Sequence, residues 1–248
     1  MEGPVPGISK YDHAEEALDL YLRYAQSHAS TVKRLWYILN IRTAIDYHEL
    51  SNKDAIISFC DTIINKTDWE ARIIDTIDRQ DDDCFFFASN TASRLGININ
   101  DRLLPIVKNN PVKYWSYAMR FFMDPSMIDE MISLYESILP LDEMATGMGN
   151  DTFAVKLHNE QACLEEIINI LKDYPMKGLR FIITGLNSRV VRARNTVCGS
   201  VSNWLTIENK TLVELSPELF AEIKRIHDIE VNADTKKEFL SLISEDSI

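Results

Sequence analysis

Glycine and proline are scarce in this chain of 248 residues, which contains only eight of each. Proteins built from β-sandwiches or β-barrels need many tight turns, and tight turns depend on these two residues. Hydrophobic residues make up 46% of the chain and charged residues 26%, which is ordinary for a folded protein and excludes disordered and low-complexity classes. The sequence therefore predicts an all-α protein with long helices and short connections.

Sequence motifs of catalysis and cofactor binding are also missing. The chain contains no HExxH, no GxSxG and no phosphate loop ending in GK[ST], and the GMG at 147–149 lacks the third glycine of a dinucleotide site. The five histidines lie far apart without metal-ligand spacing. One combination, His158 with Glu160 and Cys163, stays open as a site formed in the folded chain, although an exposed helix face explains it more simply. The sequence therefore predicts no catalytic residue, no metal and no cofactor.

Cysteine is rare and scattered, with four residues at positions 60, 84, 163 and 198 and no CxxC pair. Such cysteines are typical of buried thiols in a reducing compartment rather than of disulfides. The N-terminal residues lack a basic segment followed by an apolar segment, and no apolar run approaches the roughly 18 residues that span a bilayer. We therefore expect a cytoplasmic protein that does not enter a membrane.

Basic residues are outnumbered by acidic ones: the chain has 26 Lys and Arg residues and 38 Asp and Glu residues, which gives a net charge of −12. Such a chain repels phosphate backbones and anionic lipid surfaces, so nucleic acid and membranes are disfavoured as partners. Part of the acidity lies in a run at Asp78, Asp81, Asp82 and Asp83. We expect a solvated turn there, because the run lacks the spacing of a calcium-binding loop.

One segment reverses this charge. Residues 172–194, which we call the basic window, contain six basic residues and a single acidic one, Asp173. The basic residues are Lys172, Lys177, Arg180, Arg189, Arg192 and Arg194. In a functional interpretation, the last five bind a protein partner through an acidic or phosphorylated peptide, or bind nucleic acid. In a structural interpretation, Arg192 or Arg194 bridges adjacent helical repeats by pairing with acidic side chains and with carbonyls at helix C-termini.

Aromatic residues supply the second set of candidate contacts. The chain has four tryptophans and a run of three phenylalanines at 85–87. Most of them are expected to pack in the core, as aromatics at helical spacing usually do. Trp69 and Trp115 are predicted to be exposed anchors for a partner, because each lies in the first turns of a predicted helix beside polar residues.

Similar helix openings recur about every 41 residues, each with a small polar or acidic residue before basic and apolar positions. They begin at Ser27, Asp68, Asn110, Asn150, Asn187 and Asn232. A fixed period of this length is typical of stacked helical pairs, which bury their apolar faces only against neighbouring pairs. The short apolar stretch FIIT at 181–184 is assigned to a helix rather than to a strand.

Within this pattern, residues 187–205, NSRVVRARNTVCGSVSNWL, resemble the second helix of a HEAT repeat. The segments DWEARIIDTI at 68–77 and NPVKYWSYAM at 110–119 are similar but weaker. The resemblance covers most of residues 28–244. It implies a HEAT-like α-solenoid, an α-α superhelix of about five or six helical pairs, which commonly binds other proteins. We expect one such domain over residues 11–248, a flexible segment at 1–10, and a candidate hinge at 139–151.

The resulting functional expectation is a non-catalytic scaffold that presents a curved helical surface to a protein or an acidic peptide. The alternative is a HEAT-like DNA glycosylase or another enzyme acting on nucleic acid. That alternative requires the basic window, an aspartate and a tryptophan to meet in one concave cleft. The structural position of the basic window therefore distinguishes the two hypotheses.

Overall fold

The structure, a computed structural model, describes residues 22–23, 31–45, 53–79, 82–154 and 156–244. Within these ranges the regular structure is helical apart from one isolated bridge between Asp151 and Val190. The predicted all-α class is confirmed to this extent. A search of the same ranges finds no helix with the length and apolar character that a bilayer crossing needs. The segment 1–10 and the repeat opening at Ser27 lie outside the described residues.

The chain divides into two compact units, Met1–Pro105 and Ile106–Ile248. The first contains helices α1 (Val32–Ala44), α2 (Lys53–Ile64), α3 (Trp69–Arg79) and α4 (Asp82–Arg94), and α5 (Asn100–Asn109) crosses the boundary. The second contains α6 (Trp115–Phe122), α7 (Ile128–Ile138), α8 (Leu141–Met144), α9 (His158–Leu171), α10 (Leu179–Leu186), α11 (Val191–Glu208), α12 (Leu212–Leu215), α13 (Pro217–Ile229) and α14 (Ala233–Ser244). The segment 139–151 lies entirely within the second unit.

Short polar residues fix several helix starts. Ser216 caps α13 by accepting the Leu219 amide at 3.2 Å, and Pro217 occupies the first helical position. Thr31 caps α1 by accepting the Arg34 amide at 3.2 Å. Because these caps satisfy amides that lack a partner within the helix, they explain why the helices begin where they do.

The predicted helix opening at Asn150 is wrong. The backbone of Asp151 pairs with the turn before α11: its amide donates to the Arg189 carbonyl at 3.2 Å, and its carbonyl accepts the Val191 amide at 3.0 Å. Asp151 is therefore paired like a residue of a parallel strand and is not available for a helical turn. Helix α9 begins only at His158.

In the first unit, α1 packs against α2, α3 and α4. Its apolar stripe of Leu35, Ile38 and Ile41 is fully buried, as is the stripe of Ile73 and Ile77 on α3. A polar contact joins α4 to α1, where the guanidinium of Arg94 donates to the side-chain oxygen of Asn40 at 2.7 Å. The core of this unit therefore lies along α1.

In the second unit, helices contact one another largely in chain order. Contacts run from α6 to α9, from α9 to α11, and from α11 to α14. Alongside this row, α7 packs on α6, α10 packs on α8, α9 and α11, and α13 packs on α14. The FIIT stretch lies within α10, so its assignment to a helix is confirmed.

One face of α11 satisfies the carbonyls at the end of α9. Ser200 donates to the Ile168 carbonyl at 2.7 Å, and the indole N–H of Trp204 donates to the Leu171 carbonyl at 2.6 Å. Both donors are buried. The last carbonyls of a helix lack partners within it, so these contacts fix the register of α11 against α9.

Glycine is needed where α10 packs against α9 and α11. A Cβ on Gly185 would lie 2.6 Å from Ile168 Cδ1 and 2.7 Å from Val197 Cγ2. On α11, by contrast, a Cβ on Gly199 would meet no atom within 4 Å. The two glycines therefore form a matched pair, one in tight packing and one facing open space.

We expect Gly185→Ala to lower the free energy of unfolding by about 1–3 kcal/mol, because the added methyl group forces packed side chains apart. The control Gly199→Ala should raise it by about 0.5–1 kcal/mol, since alanine is favoured over glycine inside a helix. Urea denaturation followed by circular dichroism measures both values. Equal midpoints for the two variants would contradict the close approach of α10.

Candidate functional site

Most cations of the basic window are paired with carboxylates from other elements. The pairs are Lys177 with Asp129 (2.5 Å), Arg180 with Asp142 (3.6 Å), Arg189 with Asp151 (3.0 Å), Arg192 with Glu165, and Arg194 with Glu230 (2.6 Å). The positive charge that the sequence concentrates in this window is therefore compensated locally by acidic residues. The window is not an open cationic face.

Arg194 is completely buried, and each of its three guanidinium nitrogens donates to an acceptor inside the protein. It donates twice to the carboxylate of Glu230, at 2.6 and 2.8 Å, and also to the carbonyls of Ser188 (2.6 Å) and Gly149 (2.8 Å). Glu230 is equally buried and also accepts the Asn232 amide at 2.8 Å. The acidic pairing expected of Arg194 is present, but its two carbonyl partners lie in the loop at 145–157 and in the turn before α11 and not at helix C-termini. Its assignment as a partner-binding residue is corrected, because no part of the side chain reaches the surface.

Arg192 differs, because its side chain is 70% exposed while the carboxylate it contacts, Glu165, is 7% exposed. Glu165 also accepts a hydrogen bond from the side-chain amide of Gln161 at 2.9 Å. Since Arg192 starts α11 whereas Glu165 and Gln161 belong to α9, this chain of contacts crosses between the two helices. Arg180 and Arg189 are exposed and Lys177 is partly exposed. The cations that remain candidates for contact with a partner are therefore Lys177, Arg180, Arg189 and Arg192.

The two tryptophans chosen from the sequence have different surroundings. Trp69 is buried, and its indole N–H donates to the Ile63 carbonyl at 2.6 Å. The prediction that it is an exposed anchor is wrong, because the residue is only 4% exposed and its N–H satisfies a carbonyl at the end of α2. Trp115 is half-buried at the start of α6 and keeps some surface for contact.

A cleft of about 380 Å³ lies in the second unit between α8, the loop at 145–157 and the turn joining α10 to α11. Four charged residues line it: Glu143, Asp151, Lys156 and Arg189. Its apolar surface includes Met144 and Val190, which are both buried. Two buried polar residues, Gln161 and Ser188, also line it. Of the residues that line the cleft, only Arg189 is among the partner-binding residues predicted from the sequence.

The backbone holds the two walls of this cleft together. Besides the pairing of Asp151 with residues 189–191, the Gly147 amide donates to the Asn187 carbonyl at 2.9 Å, with Gly147 at a φ of +87° that favours glycine. A Cβ on Gly149 would lie 3.0 Å from the Cβ of Arg189, so the chain passes close to that side chain. The glycines at 147 and 149, without forming a nucleotide motif, therefore shape one wall of the cleft.

The titratable groups do not form a nucleophilic centre at Cys163. Its thiol is fully buried, and burial raises its pKa well above the usual range, with the nearby charge of Glu160 adding to the effect. His158 lies at the exposed start of the same helix. The thiol therefore stays protonated at neutral pH and is a poor nucleophile.

Metal ligands are not grouped in the part of the chain that the structure describes, where no three His, Cys, Asp or Glu side chains converge. Asp78 of the acidic run pairs instead with Arg102 at 3.3 Å. Asp81 and the side chains of Asp82 and Asp83 lie outside the described residues. The cleft also lacks a tryptophan among its lining residues, although Asp151 and Arg189 both contribute to it. The combination required by the glycosylase alternative does not occur there.

Comparison of the chain with protein-family models, with curated proteins and with solved structures finds no match. The resemblance to HEAT repeats is therefore neither supported nor contradicted by relatives. The geometry of the second unit has to carry the functional interpretation by itself.

We expect Arg194→Met to lower the free energy of unfolding by about 3–5 kcal/mol, because it leaves the buried carboxylate of Glu230 without its countercharge. The matched control is Arg225→Met, which breaks the half-exposed pair with Glu222 (2.6 Å) and should change stability by less than about 1 kcal/mol. Urea denaturation measures both variants. Similar losses in the two would contradict a central role for Arg194.

The cysteines should differ sharply in reactivity. Cys60, Cys163 and Cys198 are buried, and burial raises the pKa of each thiol, to about 11 for Cys60. Cys84 is half-exposed. At pH 8 we expect a thiol reagent to modify Cys84 quickly in the native protein and the other three only on unfolding. Peptide mapping by mass spectrometry identifies the modified residues, and fast modification of Cys163 would reopen the nucleophile hypothesis.

Proposed function

We propose that this protein is a non-catalytic interaction scaffold, whose second unit is a HEAT-like solenoid that presents its surface to a protein partner. The observation that carries the proposal is the order of helix contacts, α6 to α9 to α11 to α14, with α7, α10 and α13 packed alongside. In helical-repeat proteins each pair of helices contacts chiefly its neighbours, and the exposed faces are left for binding. The fold alone does not supply an activity.

The chemistry of the described side chains supports a binding role over a catalytic one. The three buried thiols are protonated because burial raises their pKa values. Arg189, Arg192 and Arg194 are held by carboxylates. Enzyme sites usually combine groups with mutually adjusted pKa values in one cleft. In our proposal the scaffold has no cofactor and works in the cytoplasm.

Helix α10 offers a mixed surface suited to a protein partner. Leu179 and Ile183 lie one turn apart on it, and each is 36% exposed. Arg180, on the same helix, donates to the Glu136 carbonyl and pairs with Asp142, and Lys177 precedes the helix. An apolar contact bordered by polar and charged groups is the usual anatomy of a protein interface.

The ion pairs of the basic window permit exchange with an acidic partner. Lys177, Arg180 and Arg189 form pairs in which both partners are exposed. Such a pair contributes only about 0.2–1 kcal/mol, so a carboxylate on a partner can replace the internal one at small cost. Arg192 keeps its internal pair, because Glu165 is 7% exposed. The buried Arg194 pair takes no part in such exchange. The acidic net charge disfavours nucleic acid, because a polyanion must approach the whole chain and not only its basic window.

The proposal is tested by neutralising the exposed part of the basic window with Lys177→Gln, Arg180→Gln, Arg189→Gln and Arg192→Gln together. The matched control makes the same replacement by Gln at four cations elsewhere in the second unit: Lys210, Lys224, Arg225 and Lys237. Both proteins are used as full chains for affinity capture from a lysate of the source cells at two salt concentrations, with mass spectrometry and nucleic-acid staining. We expect the parent and the control to retain a protein partner at low salt and the window variant to lose it.

Two results would contradict the proposal. Equal capture by the window variant and the control would remove these four cations from the interface. Retention of nucleic acid by the parent chain would favour an enzyme or a nucleic-acid-binding protein instead. Circular dichroism and urea denaturation of each variant establish that lost capture does not reflect lost folding.

A further inference from the structure

Ser188 is a buried hydroxyl with an unused proton in the cleft. Its side chain is 1% exposed and lines the cleft, and its oxygen accepts the Val190 amide at 3.2 Å. A hydroxyl donates one hydrogen bond as well as accepting. Within the described residues, the Ser188 hydroxyl donates to no acceptor. A ligand in the cleft therefore finds a donor already fixed in place.

Gln161 supplies the complementary acceptor. It is 5% exposed, lines the same cleft, and donates from its side-chain nitrogen to Glu165 at 2.9 Å. A carboxylate only accepts, so the nitrogen of the amide must face Glu165 and the amide oxygen is left over. Arg192 holds Glu165 from its other oxygen. Among the described residues no donor reaches the Gln161 oxygen, and it does not count among the buried atoms that lack a partner. It can therefore accept from water or from a ligand in the cleft.

We propose that this cleft binds an extended peptide segment of a partner protein, with a peptide N–H donating to Gln161 and a peptide carbonyl accepting from Ser188. A peptide unit carries one donor and one acceptor, which matches the pair that the cleft offers. The inference rests on the proposed scaffold function, because the peptide belongs to the bound partner.

The remaining surface of the cleft defines the side chains of that peptide. Met144 and Val190 are buried apolar residues of the lining, so an aliphatic side chain fits against them. The volume of about 380 Å³ lies at the lower end of the roughly 300–1,000 Å³ of ligand pockets. The peptide therefore inserts one apolar side chain and does not bury a long segment.

Charge at the cleft favours one carboxylate next to that apolar residue. Lys156 is exposed and forms no ion pair with any described residue, whereas Arg189 is paired with Asp151. Glu143 and Asp151 balance the two cations, so the charged lining residues sum to zero. A polyanion such as a nucleic-acid backbone gains nothing from a neutral lining, while a single acidic side chain can pair with Lys156.

The test uses the full chain and blocked peptides in two-dimensional NMR titrations that follow backbone amides and the Gln161 side-chain amide. The probe is acetyl-Leu-Asp-Leu-amide. Its controls are the Asn analogue, the analogue with N-methylated peptide nitrogens, and inorganic phosphate. The protein variants are Lys156→Ala and its matched control Lys224→Ala, an exposed lysine on α13 outside the cleft.

We expect the aspartyl peptide to shift resonances of Thr146, Gln161 and Ser188 and to saturate. The Asn analogue and Lys156→Ala should each weaken binding roughly tenfold, since each removes one charge-assisted contact. N-methylation should weaken binding similarly, and Lys224→Ala should leave it unchanged. Absence of shifts at millimolar peptide, equal shifts by all analogues, or equal shifts by phosphate would overturn the proposal. Capture of a partner without these shifts would leave the scaffold function standing and remove only the cleft.

Discussion

The buried guanidinium of Arg194 is the constraint on which the second unit depends. A charge removed from water is tolerated only when its donors are satisfied and a countercharge lies beside it. Arg194 meets both conditions by drawing together Gly149, Ser188 and Glu230, which lie far apart in the chain. The loop at 145–157, the turn before α11 and the end of α13 are consequently fixed relative to one another. The cleft between the first two of these segments follows from that arrangement.

Helix α11 links the contacts of Arg194 to the other helices of the second unit. Its first turns carry Arg192 and Arg194, and its second half carries Ser200 and Trp204, which satisfy the end of α9. A displacement of α11 along its axis would break buried hydrogen bonds in both halves of the helix at once. Such polar contacts are directional, whereas apolar packing alone tolerates small shifts. The 18 residues of α11 therefore set the register for the α9, α10 and α14 helices that pack against it.

Local features of the structure could be predicted from the sequence, and long-range features could not. The cap at Ser216 and the helical state of FIIT depend on neighbouring residues, so their signals are local. The predicted helix opening at Asn150 is wrong because Asp151 pairs with Val190, 39 positions away in the chain. The prediction that Trp69 is exposed is wrong because a position near a helix start does not determine which side of the helix the ring occupies. Gln161 and Ser188 carry no motif, and only tertiary packing brings both to the lining of one cleft. The bridging role of Arg194 follows from only one of the two interpretations of the basic window, because a run of cations carries no local signal that tells a buried arginine from an exposed one.

Compensation of the basic window also changes how recognition must work. Cations that are already paired produce little field beyond their partners, and at physiological salt the Debye length is only about 8 Å. Long-range attraction by the window is therefore weak, and the acidic remainder of the chain opposes it. In the scaffold function that we propose, a partner is instead recognised at contact, by replacing short-range pairs and by occupying the donor and acceptor that the cleft leaves unused. In that proposal the positions of Ser188 and Gln161 determine specificity, and two arginines of the basic window hold them: Arg194 through the Ser188 carbonyl and Arg192 through Glu165.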